Sequence, residues 1–323
     1  MRLKHRMLGA ISTLLVTGVM AGFASAATPV NVAFVGADLV DPYYLTMKCG
    51  AFDAAKKYDV KLSWQGTNGV DFQPELTIFN AAIQKKPQSI IVAPFNPTAF
   101  VQPVKQAMSS GIPVVTVDGS LSQKVEVQNI RTDNLKVGGL AGDGMGKAIG
   151  GKGKVAIISF APDIPVQADR VNGFRQALKK HYPNVQVVAV EYGGADAGKA
   201  AQKAAAILQA HPDLAGMYGT DTSDAEGAAS AILAAGKRGV VKLVGYDAGP
   251  KQVKDLKSGL YDGLAAQAPY DVGFQSVKLA AQLARGQAKK GSVPYYQPTG
   301  GAYVTRDNVN QPAIKKFLYR PTC

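Results

Sequence analysis

Side chains able to grip a small polar molecule recur wherever an apolar run of this sequence comes to an end. Asp41, Tyr43 and Tyr44 follow VNVAFV in the stretch GADLVDPYYLTM, Phe95 and Asn96 follow SIIVAP, and Asp118 follows IPVVTV. Further along, Arg170 opens a helical stretch after KVAIISF, Asp221 follows LAGMYGT, Tyr246 and Asp247 end VKLVGYD, and Gln267 closes GLAAQ. Carboxylates accept hydrogen bonds strongly, a guanidinium donates as a fork, and Asn and Gln do both. The aromatic rings add flat apolar faces. Loops after strands favour Asp and Asn for turn chemistry alone, so it is the set, interleaved with aromatics, and no single member that points to a binding site.

Reactive constellations do not accompany these groups. The sequence has no G-x-S-x-G elbow, no C-x-x-C and no H-E-x-x-H. Of its three histidines, His5 lies in the basic N-terminal stretch, and His181 and His211 close helical segments beside Tyr-Pro and Pro. The glycine-rich run Gly139 to Lys154 contains Gly146-x4-Gly151-Lys152, but Gly153 stands where a phosphate loop needs Ser or Thr. That run also precedes a strand instead of following one, the wrong geometry for a phosphate loop. The expectation is a binding protein, not an enzyme, with no cofactor and no metal.

The elements that must position the set alternate. Short β-branched runs (VNVAFVG, VKLSWQG, SIIVAPF, IPVVTVD, EVQNI, then KVAIISF, VQVVAVEY, LAGMYGT, VKLVGYD, GLAAQA) are separated by stretches with apolar residues every three or four positions. This rhythm predicts parallel sheets covered by helices. Ten strand candidates and a break at IRTDN fit two doubly wound α/β lobes better than one eight-fold barrel. Ligands of open α/β sheets bind beyond the carboxyl ends of the strands, where the chemical set falls.

The first residues, with Arg2, Lys4 and Arg6 before an apolar Met7–Phe23 and then Ala24-Ser25-Ala26, read as a secretory signal peptide cleaved near Ala26. The expected location is the periplasm, without an anchor. The formal charge of +13, which is +10 once the three basic signal residues are removed, comes mostly from scattered lysines near predicted helix ends, a solvated surface and not a nucleic-acid patch. Two cysteines in an exported chain predict one disulfide, Cys49–Cys323, with two buried or free thiols as the other option.

The order signal peptide, strand, x-P-aromatic-aromatic, IPVVTVD, D-R-x-x-G-F, HPDL, VGYD and AAQ resembles the periplasmic sugar-binding proteins of ABC importers, the ribose-binding type above all. The resemblance implies a monomer of two similar Rossmann-like lobes joined by three crossings and closing over one monosaccharide. It also implies a transient partner, the ABC permease of the inner membrane. By that pattern the first lobe spans 27–131 plus 268–303 and the second 132–267 plus 304–323. Tyr43 and Tyr44 match the aromatic pair that sandwiches the ring, and Asp41 a position that bonds a hydroxyl. Asn96, Asp118, Arg170, Asp221, Asp247 and Gln267 match the polar contacts, with Tyr246 an aromatic beside them. Gly119 departs from a common Arg, and Asp41 and Asp221 each replace a common Asn. The implied site is rich in acceptors, which admits another pentose, a furanose sugar or a linear polyol beside ribose. A chemotaxis receptor shares the same site. An amino-acid-binding site would want paired groups for ammonium and carboxylate, and a sugar-responsive repressor would want a helix-turn-helix ahead of the first strand.

Overall fold

Apolar runs of four to nine residues fold as strands here, and the stretches with a three- to four-residue apolar period fold as the helices between them. The computed structural model describes residue 1 and residues 28–323, so the expected signal peptide lies outside the described residues. The first half runs β1 (Val30–Asp38), α1 (Pro42–Lys57), β2 (Val60–Thr67), α2 (Phe72–Gln84), β3 (Ser89–Val92), α3 (Val101–Ser109), β4 (Val114–Val117) and β5 (Gln128–Thr132). The second runs α4 (Asn134–Ala148), β6 (Lys152–Ser159), α5 (Pro165–His181), β7 (Asn184–Tyr192), α6 (Ala197–Ala210), β8 (Leu214–Gly219), α7 (Thr222–Ala234), β9 (Lys242–Tyr246), α8 (Pro250–Lys257) and β10 (Gly263–Gln267). The chain then gives α9 (Pro269–Ala284), β11 (Tyr296–Thr299), β12 (Gly301–Val304) and α10 (Pro312–Lys315).

Two six-stranded sheets result, ordered β2-β1-β3-β4-β5-β11 and β7-β6-β8-β9-β10-β12. The orders are identical once the halves are aligned. Every pairing within the two sheets is parallel except β10 with β12. The central strands β3 and β4 are buried at every residue, because helices cover both faces of the sheet. In the first sheet Val35, Ile90, Val92 and Val114 pack with Phe79 and Ile83 of α2 and Val104 of α3. Their strand neighbours Phe34, Ile91 and Val115 face the other way, onto Met47 and Ala51 of α1 and Val277 of α9. The second sheet repeats this with α4 and α5 on one face and α6 and α7 on the other.

Three crossings join the lobes, and two of them depart from the expected boundaries. The first sheet extends through Thr132, one residue past the expected end, and the chain crosses at Asp133, which caps α4. The second crossing falls at Ala268, between β10 and α9. The third falls at Gly300: residues 301–303 pair with β10 in the second sheet and do not belong to the first lobe. Neither β11 nor β12 was expected, because YQPT and GAYV are too short and polar to stand out as strands. The crossings are tied side by side, with Thr132 Oγ1 donating to Gln267 Oε1 at 2.7 Å and Asp133 N–H to Thr299 O at 3.2 Å.

Cys49 and Cys323 form a disulfide, with Cα atoms 5.2 Å apart. The tail therefore ends against α1 of the first lobe, although it leaves β12 in the second. No described helix is long and apolar enough to cross a membrane.

Candidate ligand-binding cavity

The carboxyl ends of both sheets face one cavity of about 260 Å³. Small-molecule pockets usually run roughly 300–1,000 Å³, so this one suits a ligand smaller than most drugs. Its lining includes Asp41, Tyr43, Tyr44, Phe95 and Asp118 from the first lobe and Arg170, Asp221 and Asp247 from the second, with Gln267 at the hinge.

In the first lobe, Pro42 starts α1 with its preset φ, and Asp41 caps the helix by accepting the Tyr43 N–H at 2.7 Å. This cap puts two buried tyrosines in the first turn, where both line the cavity. Burial first, then the charge of Asp247, pushes the Asp41 carboxyl up to about 7. The Tyr44 hydroxyl donates to Asp118 Oδ2 at 2.5 Å. The Tyr43 hydroxyl is buried and makes no hydrogen bond among the described residues. The two rings meet edge to face, 5.2 Å apart at 87°. Perpendicular neighbours form a corner and cannot clamp one ring from both sides, so the expected sandwich of Tyr43 and Tyr44 does not form. The second lobe supplies a further aromatic wall, Phe160, at the end of β6.

In the second lobe, Arg170 projects from the second turn of α5 and is almost fully buried. Close contact of α4 with α5 sets its place: a side chain at Gly138 would strike the Arg170 carbonyl oxygen at 2.3 Å. Its guanidinium lies 4.0 Å over the Tyr246 ring, donates from Nε to Asn134 Oδ1 at 2.8 Å, and from Nη1 to Thr220 O at 2.9 Å. Burial opposes its charge, but Tyr246, Asp247, Asp118 and Asp221 together outweigh that and hold the group protonated. A guanidinium has five N–H donors, and both protein partners are neutral oxygens, so three N–H groups remain for the cavity.

Asp118 and Asp247 occupy the same place in the two lobes, directly after β4 and β9. Both have a left-handed backbone, with φ 58° and 75°. Non-glycine residues in that region are uncommon and cluster at functional sites, and Asp and Asn tolerate it best. Asp247 is the better anchored. Its Oδ1 accepts from Gln267 Nε2 at 2.7 Å and from the Tyr319 hydroxyl at 2.8 Å, and its Oδ2 accepts from Thr222 Oγ1 at 3.2 Å. Asp221 caps α7 through Asp224 N–H at 3.0 Å and also accepts from Gln167 Nε2 at 3.2 Å.

Two expected members stand outside the lining. Asn96 Oδ1 accepts the N–H groups of Thr98 at 3.0 Å and Ala99 at 2.9 Å, so it builds its own turn. Tyr246 is buried beneath Arg170, with its hydroxyl donating to Asn134 Oδ1 at 2.9 Å; it supports the guanidinium from behind. Conversely, Asp38, Phe160, Gln167 and Thr222 line the cavity and were not singled out. Phe160 was visible in the sequence as the aromatic ending KVAIISF. The glycine at 119 also has a physical cause, because a Cβ there would meet Pro94 O at 2.3 Å, so no arginine fits on this backbone.

A buried acid backs each wall. Glu75 of α2 accepts the Phe95 N–H at 3.2 Å, and burial pushes its carboxyl up to about 8. Asp224, behind Asp221, has no hydrogen-bond partner for either carboxyl oxygen among the described residues. Burial, then the charge of Asp221, pushes it up to about 10.

Relatives share the whole frame. The D-allose-binding periplasmic protein of Escherichia coli K12 is 30% identical over 268 residues, covering 79% of this chain and 85% of that protein. The ribose import binding protein of Salmonella typhimurium is 28% identical over 271 residues, 84% of this chain and 90% of that one. Among solved structures, an ABC transporter solute binding protein from Agrobacterium vitis, bound with alpha-D-tagatopyranose, superposes with a TM-score of 0.85 at 32% identity, covering 90% of this chain and 99% of that one. Residues 32–288 match the periplasmic binding protein domain, and the chain belongs to that family, with the type I architecture of two parallel-dominated lobes.

Proposed function

We propose that the protein captures a monosaccharide between its two lobes in the periplasm, as a monomer, and hands it to the inner-membrane permease of an ABC importer. The observation that carries this reading is the composition of the cavity wall: five carboxylates, a single guanidinium and apolar ring faces, contributed by both lobes at their strand ends. A sugar ring has apolar C–H faces that pack on aromatic rings and a rim of hydroxyls that donate and accept. Each hydroxyl buried without a partner costs roughly 1–3 kcal/mol, so the lining must partner nearly all of them. Asp41, Asp118, Asp221 and Asp247 would accept from hydroxyls, Arg170 would donate, and Tyr43, Tyr44, Phe95 and Phe160 would flank the ring. Gln267 is committed through both ends of its amide to Thr132 and Asp247, and we assign it to shaping the hinge more than to touching the sugar.

The relatives bind or are named for allose, ribose and tagatose, which supports a sugar of five or six carbons. The small cavity favours a pentose or a furanose ring. Ligand contacts to both lobes stabilise the closed state, and closure presents the loaded form to the permease.

A thermal-shift screen of the mature protein against D-ribose, D-allose, D-tagatose, D-arabinose, ribitol, xylitol and the common amino acids tests the reading. Binding to the folded state alone raises Tm, by RT ln(1 + [L]/Kd) in free energy. A shift with a sugar supports the proposal, a shift with a polyol alone moves the ligand class, and a response only to an amino acid overturns it.

A further inference from the structure

The last residues of the chain do more than end it. After β12 the tail runs along the second lobe, where Asn308 Nδ2 donates to Tyr303 O at 3.0 Å and Val309 is buried. Tyr319 is still bound to that lobe: its N–H donates to Ala248 O at 3.0 Å and its hydroxyl donates to Asp247 Oδ1 at 2.8 Å. The same hydroxyl accepts the Gln267 N–H at 3.3 Å, and the ring meets Tyr43 of the first lobe edge to face at 5.8 Å. One residue later the partners change lobe. Arg320 N–H donates to Thr46 Oγ1 of α1 at 2.7 Å, its guanidinium lies 5.7 Å from the Tyr270 ring of α9, and Cys323 is bonded to Cys49.

We propose that the tail is a disulfide-locked fourth crossing of the hinge, and that Tyr319 is a positioning residue for the cavity, acting through Asp247. The Asp247 carboxylate sits on a left-handed backbone that alone does not dictate its rotamer. Two donors on Oδ1, from Gln267 and Tyr319, fix its plane and leave Oδ2, held only by the longer bond from Thr222, turned to other partners. Chain ends fray unless tied down. Residues 320–323 are exposed, and apart from the Thr46 bonds and the Arg320 contact it is the disulfide that secures them. Breaking it frees the anchor four residues beyond Tyr319, leaves the Arg320 contacts with Thr46 and Tyr270 to hold the tail alone, and loosens the hydroxyl that orients Asp247. The cavity's affinity is thus linked to the oxidation state of a bond outside its lining.

The part concerning affinity rests on the sugar-binding reading, so the test has a ligand-free arm. Amide hydrogen exchange across 263–268 is measured in the full mature chain for wild type, Tyr319→Phe and Cys323→Ser. Both variants should speed exchange there at least tenfold while leaving β3 unchanged. Unchanged exchange in both would overturn the proposal. In the second arm, D-ribose, D-allose and D-tagatose are titrated in turn by calorimetry. Each variant should raise the Kd of the bound sugar about fivefold, and Tyr319→Phe should add nothing in an Asp247→Asn background, because residues that act through one group are not additive. A loss that persists in full in that background would make Tyr319 a merely structural residue and overturn the positioning role. If wild type binds none of the three sugars, the functional reading fails, while the exchange arm still decides whether the tail orders the hinge.

Discussion

The two lobes place different chemistry on one frame. Each begins a strand–helix turn with a proline at the first helical position, Pro42 in α1 and Pro165 in α5. Counting from those prolines, Tyr43 stands opposite Val166, Tyr44 opposite Gln167, and the apolar Met47 opposite Arg170. Asp41 caps its helix with a side chain, whereas Ile164 at the same position does not. The first lobe thus offers two tyrosine rings among the acceptors Asp38, Asp41 and Asp118, and the second offers a buried guanidinium wired to Asn134, Tyr246 and Thr220. The lesson is a division of labour in polarity: both lobes bring aromatic faces and acceptors, only the second brings a charged donor, Arg170, and only closure brings all of them to the same ligand.

The largest expected effect comes from erasing that difference. Arg170→Met puts the first lobe's residue into the second, and calorimetry with the bound sugar should show a hundredfold loss or more, about 2.8 kcal/mol. The fold should survive with a lowered Tm, because Asn134 Oδ1 and Thr220 O lose a donor that Met cannot replace, so Kd is read on the folded protein. Retained binding would mean that the second lobe's charge does not hold the ligand. Next come the paired left-handed aspartates. Asp247→Asn, in the tighter network, should weaken binding by more than tenfold, and Asp118→Asn by about tenfold, each with Tm nearly unchanged since Asn also tolerates this backbone. The reverse order would make the first lobe's aspartate the stronger hold on the ligand.

Smaller effects separate the two tyrosines. Tyr44→Phe removes the hydrogen bond to Asp118 and should raise Kd about threefold, consistent with a net hydrogen-bond worth of roughly 0.5–1.5 kcal/mol. Tyr43→Phe removes a hydroxyl with no protein partner, so a change beyond twofold would show that this hydroxyl bonds the ligand directly.

The buried acids behind the walls affect stability instead of affinity. Glu75 and Asp224 have folded values raised to about 8 and about 10. Folding favours their protonated forms, so their contribution is fullest below the unfolded value near 4 and declines as pH rises toward the folded one. The slope is at most about 1.4 kcal/mol per pH unit for each group. Thermal scans from pH 5 to pH 8 should show wild type losing Tm, while Glu75→Gln flattens the first lobe's share and Asp224→Asn the second's. A wild-type Tm that rises across this interval would contradict the assignment.

Much of this was legible from the residues. The period of the apolar runs predicted ten strands, and their carboxyl ends named nine groups that line the cavity, because α/β topology forces strand ends to one edge. Asn96 and Tyr246 were misplaced for a local reason. A strand end points successive side chains to opposite sides, so the residue before Asp247 turns under the wall, and an Asn after a strand can spend its oxygen on its own turn. The perpendicular set of Tyr43 and Tyr44 depends on rotamers that spacing does not reveal. Tyr319 was out of reach altogether. It comes from the far end of the chain, and only the hinge geometry brings it to Asp247.

The most direct test is a crystal structure of the protein with the sugar that gives the largest thermal shift. The account predicts the closed form, the ring lying against Phe160 and a first-lobe tyrosine, with hydroxyls on Asp118, Arg170 and Asp247. A sugar held outside this cavity, or touching one lobe only, would contradict it.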